Sequence, residues 1–388
     1  MKSLSRVALL IESSRTYGRE LVRGITRYSR TRGPWVFYRT GLFYIQHGKK
    51  RDELAHIRRW NPIGIITRDS ENVKELASWD VPLFISVAVR PPDPLQNNII
   101  TNDAEIGKMA AEYFLERGFR NFGYCGFDDM FWSRQRGESF SSRIAEAGFK
   151  TCFYKQPKSL EARSWEKEQA VIAEWLKGLP KPAAVMACND DRGQQITEIC
   201  EIAKINVPCE VAVIGVDNDD QVCDISNPPL SSVALNVETA GFLAAELLDR
   251  IMAGKEESPQ TVIVRPSRIV TRQSTDIMAV EDELVNQAIR FIRENAKEPL
   301  QIDDIADALS VNRRSLYDRF IKALGRSVHD EVKRVRIELA SKMLLETDLS
   351  ILEIALDLGY RDAGHIARYF KQRTGTLPLD FRKHHGHR

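Results

Sequence analysis

The chain has 388 residues, enough for two or three domains, and its 43% hydrophobic and 28% charged content is ordinary for a soluble globular protein. No apolar run approaches the roughly 18 residues of a membrane span, and the opening MKSLSRVALLIESSR has too short an apolar core for an export signal. These features exclude an integral membrane protein and point to the cytoplasm. The net charge of +2 is unevenly spread: from Leu284 onward 19 Lys and Arg face 15 Asp and Glu, so the tail is basic by four and the rest acidic by two. A mildly basic tail is compatible with nucleic acid.

In chain order, residues 4 to about 275 alternate short apolar runs with amphipathic stretches. The strand-like runs include 6–12 (RVALLIE), 63–67 (IGIIT), 82–87 (PLFISV), 122–126 (FGYCG), 183–188 (AAVMAC) and 211–216 (VAVIGV). Helical patterns occupy 104–118 and 239–254, the second closed by a glycine. Strand–helix alternation predicts parallel sheets with helices on both faces, and this much chain predicts two lobes. Polar residues gather where the strands end: Ser13-Ser14, Asn102-Asp103, Asn189-Asp190-Asp191 and Asp217 to Asp220. Open α/β sheets bind ligands at such ends. The six cysteines (Cys125, Cys152, Cys188, Cys200, Cys209, Cys223) have no metal-binding spacing and read as reduced thiols.

The polar stretch 271–283 (TRQSTDIMAVEDE) has no clear period and reads as a linker, with the junction placed at 278–284 between domains at 1–277 and 285–388. An all-helical region follows, and it contains a repeat. Ile302, Ile305, Ala306 and Leu309 match Ile351, Ile354, Ala355 and Leu358 at an offset of 49. Leu316, Phe320, Gly325 and Asp330 then match Ile366, Phe370, Gly375 and Asp380 at an offset of 50, which predicts one inserted residue at the start of the second helix of the second copy. In each copy an alanine (Ala306, Ala355) allows close helix crossing, a leucine and a phenylalanine fill the angle, and Ser310 or Gly359 makes the turn. That pattern is a helix-turn-helix, whose second helix can enter a DNA major groove. A helical docking domain with a solvated charged face is the alternative, and two copies in register argue against it.

IALDLGYRDAGHIARYFKQRTGTLPLDFR, with Ala355, Gly359-Tyr360, Phe370, Gly375, Pro378 and Arg382, resembles the signature of AraC-type regulators. The resemblance implies base-reading positions at Arg314, Tyr317 and Asp318, with Arg313 near phosphate and Arg319 on the same face. In the second copy it implies Ala363, Gly364, His365 and Arg368, with Arg361 also on the basic face. Ala363 and Gly364 have no polar reach, so the first copy is expected to dominate sequence readout. The front 270 residues resemble the effector domain of LacI/GalR regulators and sugar-binding periplasmic proteins, on NNIITNDAEIGKMAAEYFLERGFRNFGYCG, AAVMACNDDRGQQITEIC and the GVDNDD region.

That second resemblance implies a monosaccharide in a cleft formed by Asn102, Asp103, Arg136, Asn189, Asp190 and Asp217, with Tyr17 and then Trp132 as stacking candidates. Asp103 and Asp190 read alternatively as helix caps, and Tyr17 as a packed core aromatic. Leu235 stands where such sugar binders often have glutamine. The expected partners are double-stranded DNA at adjacent half-sites, a monosaccharide effector and a second copy of the chain; no cofactor, resident metal or membrane is expected. A Mg²⁺ site at 217–220 and metal binding by the histidines of 384–387 are weaker readings. A sugar-modifying enzyme fused to a DNA-binding tail is the competing class. A transport binding protein fits neither the absent export signal nor the helical tail.

Overall fold

The computed structural model describes residues 4–39, 50–68, 72–86, 91–159, 164–279, 282–298 and 300–385. The last residue of the strand expected at 82–87, residues 280–281 of the expected junction and the end of the histidine tail lie outside them. The chain forms two compact units, residues 1–113 with 120–276, and residues 277–388 with 114–119.

In the first unit the elements run β1 (Ser5–Leu10), α1 (Thr16–Arg32), β2 (Trp35–Arg39), α2 (Lys50–Trp60), β3 (Gly64–Arg68), α3 (Val73–Ala77), β4 (Leu83–Ser86), β5 (Asn97–Thr101) and α4 (Asp103–Glu116). They continue with β6 (Asn121–Cys125), α5 (Phe131–Glu146), β7 (Thr151–Phe153), α6 (Trp165–Gly178), β8 (Ala183–Ala187), α7 (Asp190–Ile202), β9 (Val211–Val216) and α8 (Asp220–Ile225). β10 (Ser231–Leu235), α9 (Val237–Met252), β11 (Thr261–Val264) and β12 (Pro266–Val270) complete it. One sheet has the order β11-β5-β4-β3-β1-β2 and the other β12-β10-β9-β8-β6-β7, giving two lobes.

Every residue of β8 and β9 is buried, as helices on both faces of a parallel sheet require. The all-parallel expectation fails at one edge: β12 runs antiparallel to β10. The chain passes between lobes at 101–103, 235–237 and 264–266. Backbone bonds tie the crossings together, from Asn102 N–H to Val264 O at 2.8 Å and from Asn236 N–H to Arg265 O at 2.9 Å.

The stretch expected as a linker is only partly one. Residues 273–275 form a 3-10 turn whose Ser274 and Thr275 are fully buried. Ser274 donates to Val213 O at 2.6 Å, and the Thr275 hydroxyl bonds that of Ser231 at 2.7 Å. Hydroxyls facing strand ends look like linker composition in a sequence, although here they close the core.

The second unit contains α10 (Glu283–Glu294), α11 (Ile302–Ala308), α12 (Arg313–Leu324), α13 (Val328–Glu346), α14 (Ile351–Asp357), α15 (Ala363–Thr374) and α16 (Pro378–His385). It has two cores. Ile305, Ala306, Leu316 and Phe320 pack with Val328, Val332 and Val335 of α13. Ile354, Ala355, Leu358, Ile366 and Phe370 pack with Ile337, Ala340, Met343 and Leu344 of the same helix.

Asn312 and Asp362 cap the second helix of each copy, and Gly325 and Gly375 end it in the left-handed region. The matching turn bonds, Val311 N–H to Ala306 O and Tyr360 N–H to Ala355 O, keep the offset of 49 as far as Tyr360. The inserted residue is therefore Arg361 in the turn, ahead of the helix start where the sequence suggested it. On α13 the fully buried Glu331 meets Arg326 at 2.7 Å and Arg334 at 2.8 Å. Although burial raises a carboxyl's affinity for protons, these two guanidiniums hold Glu331 down at about 2.

Candidate functional site

In each sheet the strand order reverses once, between β1 and β3 in the first lobe and between β6 and β8 in the second. A doubly wound sheet opens a crevice at the C-terminal ends of the strands where its order reverses. The cavity lies there, about 120 Å³, walled by Arg15, Tyr17, Arg68 and Thr101 from the first lobe. Trp132, Arg136, Asn189, Asp190, Asp191, Asp217, Asp219 and Val222 face them from the second.

Arg136 is the hub. It is 4% exposed, donates from Nε to Asp103 at 2.9 Å and from Nη1 to Cys188 O at 2.7 Å, and lies 3.9 Å from Asp217. Its guanidinium carbon sits 4.7 Å from the centre of the Trp132 ring. Burial raises the Asp217 carboxyl to about 6, against the pull of Arg136 and Arg68. Asp217 and Asn218 both adopt positive φ, 103° and 51°. Two consecutive non-glycine residues in that region mark a backbone held by its surroundings to aim a side chain.

Asp190 is placed differently. Its carboxylate accepts from Asp219 N–H at 2.7 Å and from the Ser232 hydroxyl at 2.5 Å, and burial raises its proton affinity strongly. A Cβ on Gly215 would lie 2.2 Å from its Oδ1, so only glycine fits beneath it. Asp190 thus holds the cleft loops together while lining the cavity.

Neither Asp190 nor Asp103 caps a helix through its side chain. Asn189 caps α7 by accepting from Arg192 N–H at 3.0 Å, and Asn102 accepts from Glu105 N–H at 3.1 Å. Asn102 therefore sits at a crossing outside the cavity lining, and Asp103 stands behind Arg136. Tyr17 packs on the first lobe's core with its ring at the cavity and its hydroxyl 3.3 Å from that of Ser86.

Of the remaining lining residues, Asp191 and Asp219 stand in the sequence only as members of the polar strand ends, and Arg15, Arg68, Thr101 and Val222 carry no assignment there. Arg68 and Thr101 end strands, a signal that was available. Asp219 was hidden in a run of acidic residues. It bridges the lobes, accepting from Thr16 N–H at 2.7 Å and pairing with Arg19 at 3.1 Å, while Arg15 and Asp191 pair at 2.8 Å. Leu235 packs against the first lobe's core and brings no hydrogen-bonding group to the cavity. Among the described residues no cluster of three or more His, Cys, Asp or Glu is arranged to hold a metal. No helix among them is long and apolar enough to cross a membrane.

In the second unit Arg313, Arg314, Tyr317, Asp318 and Arg319 form the exposed face of α12, and Asn312, Arg314, Ser315, Asp318, Arg319 and Lys322 line an open hollow on it. Two of these cations are engaged: Arg313 with Asp303 at 3.4 Å and Arg319 with Asp282 at 2.7 Å. On the second copy Arg361, Gly364, His365 and Arg368 are exposed, and Ala363 is half-buried. The His365 ring lies 5.5 Å from that of Tyr369 and 6.2 Å from that of Tyr360.

A two-lobed cleft joined to paired helix-turn-helix units defines a ligand-responsive transcription regulator. Residues 111–275 match a periplasmic binding protein-like domain and residues 305–384 a helix-turn-helix domain. The xylose operon regulatory protein of Escherichia coli K12 is 30% identical, with 97% of this chain and 96% of that protein covered. Its counterpart in Haemophilus influenzae is 28% identical over 97% of this chain and 98% of that one. A solved structure of a xylose-binding transcription activator aligns over 99% of both chains with a TM-score of 0.63 at 27% identity. The chain belongs to the family of xylose operon regulatory proteins. These relatives are transcription regulators, and the enzyme reading finds no support among them.

Proposed function

We propose that the protein is a cytoplasmic homodimeric regulator in which a pentose, xylose or a close relative, closes the cleft and changes how the paired helix-turn-helix units engage adjacent half-sites on DNA. The observation that carries the effector reading is the convergence of Tyr17, Trp132, Arg136, Asn189 and Asp217 on one cavity at the strand-order reversals. Asp217 accepts from sugar hydroxyls, Arg136 donates, and the aromatic rings offer apolar faces to the ring carbons. A ligand shifts the regulator only through unequal affinity for its two arrangements, so closure must bring both lobes onto the sugar. Arg314, Tyr317 and Asp318 read bases on the first copy, Arg313 and Arg319 lie along it, and His365 and Arg368 contribute from the second.

The test is DNA footprinting of the full-length protein upstream of sugar-utilisation genes, with and without D-xylose. A footprint that responds to the sugar is expected, together with loss of that response in Asp217→Ala at unchanged melting temperature. A variant that responds as the parent does would remove Asp217 from the site. Sedimentation of the same protein tests the dimer.

A further inference from the structure

Arg272 follows β12, in the stretch whose composition reads as a linker, and is not among the residues that wall the cavity. Its main chain is fixed to β10: its N–H donates to the Ser231 hydroxyl at 2.7 Å, and that hydroxyl donates to its carbonyl at 2.9 Å. From this anchor the side chain reaches the loop after β9. Nη1 donates to Asn218 Oδ1 at 2.9 Å and to Leu230 O at 3.0 Å. Nη2 and Nε meet Asp220 and Asp224 of α8 at 3.2 and 3.4 Å. The Arg272 side chain is 15% exposed, whereas those two carboxylates stand mostly in solvent. Water screens such pairs, so the inner bonds to Asn218 and Leu230 carry most of the grip.

Asn218 matters through its neighbour. Asp217 has a φ of 103°, outside the left-handed well that suits aspartate and asparagine, and Asn218 follows it at 51°. The sheet holds the backbone of this pair, with Asp217 N–H donating to Val233 O and Asn218 N–H to the Ser232 hydroxyl, both at 3.0 Å. Among the described residues no group other than Arg272 bonds the Asn218 side chain. A strained pair persists only where its surroundings over-determine it. Here β10 fixes the main chain and Arg272 fixes what the sheet leaves free.

We infer that Arg272 is a positioning residue of the effector cleft: by holding Asn218 from outside the cavity, it sets the aim of the Asp217 carboxylate before a sugar arrives. The inference rests on the reading of Asp217 as a sugar ligand and adds the group that preorganises it.

The experiment is calorimetric titration of the full-length protein with D-xylose, L-arabinose and D-ribose. The tightest of them is then carried to Arg272→Met, Arg272→Lys, Asn218→Gly and the double variant Arg272→Met/Asn218→Gly. Each single substitution is expected to weaken that sugar about ten-fold, as loss of preorganisation would. The double variant should bind no more than about two-fold more weakly than either single one, because both substitutions remove the same contact. Arg272→Lys keeps a cation beside Asp220 and Asp224 but cannot bridge Asn218 and Leu230 O, so it should bind as weakly as Arg272→Met. Asn218→Gly carries the test should Arg272→Met not fold, since glycine adopts a φ of 51° freely. Full affinity in Asn218→Gly or in Arg272→Lys would overturn the inference. So would a double variant whose loss is the product of the two single losses, since Arg272 would then serve the fold of the lobe without acting through Asn218. These outcomes leave the sugar reading standing, whereas a parent protein that binds none of the three pentoses overturns both.

Discussion

Ser310 and Gly359 hold the same place in the two helix-turn-helix copies, with φ of 54° and 71°. Glycine adopts that conformation freely, whereas serine's Cβ meets its own backbone there. Ser310→Gly is therefore expected to stabilise the protein by about 0.5–1 kcal/mol, read as a raised urea midpoint with an unchanged slope. A lowered midpoint would mean that the serine side chain contributes more than its strain costs. The turn itself was legible at both places, since a break follows the leucine in each copy. The strain was not, because nothing in the letter Ser distinguishes a left-handed residue from an ordinary one. Asp190 shows the same limit: its type and its strand end were visible, but its hydrogen-bond donors, Asp219 N–H and the Ser232 hydroxyl on β10, lie 29 and 42 residues away.

The recognition helices argue at the scale of elements. On α12 Arg314 and Arg319 both line the open hollow, but Arg319 is held by Asp282, which also caps α10. Arg314→Ala should lower specific DNA affinity by about ten-fold or more, one base contact's worth, with no loss of stability. Arg319→Ala should lower both the affinity and the melting temperature, because it also frees the cap of α10. Gel shifts against specific and random duplexes, with melting curves alongside, separate the two. If both substitutions behave alike, the distinction drawn from the Asp282 contact fails.

Periodicity exposed most of these helices, since apolar spacing records the face that is buried. What escaped it was the polar closure of the first unit by residues 273–275 and the antiparallel β12, where pairing partners rather than local pattern decide the structure. Exposed faces carry little signature of their neighbours, so the engagement of Arg319 had no trace in the sequence.

At the scale of the whole molecule, two sheets with matching order reversals bring residues that end or follow six strands (β1, β3, β5, β6, β8 and β9) to one cavity, and the strand ends told where. Which charges would pair across the cleft was not visible, because Arg15 and Asp191 lie 176 positions apart. Those pairs have a cost and a use. Arg15 and Asp191 are about half and two-fifths exposed, so dissolved ions reach them, whereas Asp219 is almost fully buried. Raising monovalent salt from about 0.05 to 0.5 M shortens the screening length from over 10 Å to under 5 Å. The affinity for uncharged D-xylose is therefore expected to fall several-fold over that range, and Arg15→Ala to flatten the dependence; a salt-independent affinity in the parent protein would show that the bridge contributes nothing to closure. The bridge between the lobes thus makes dissolved salt a competitor that never enters the cavity: it opposes the effector by loosening the hand that closes on it.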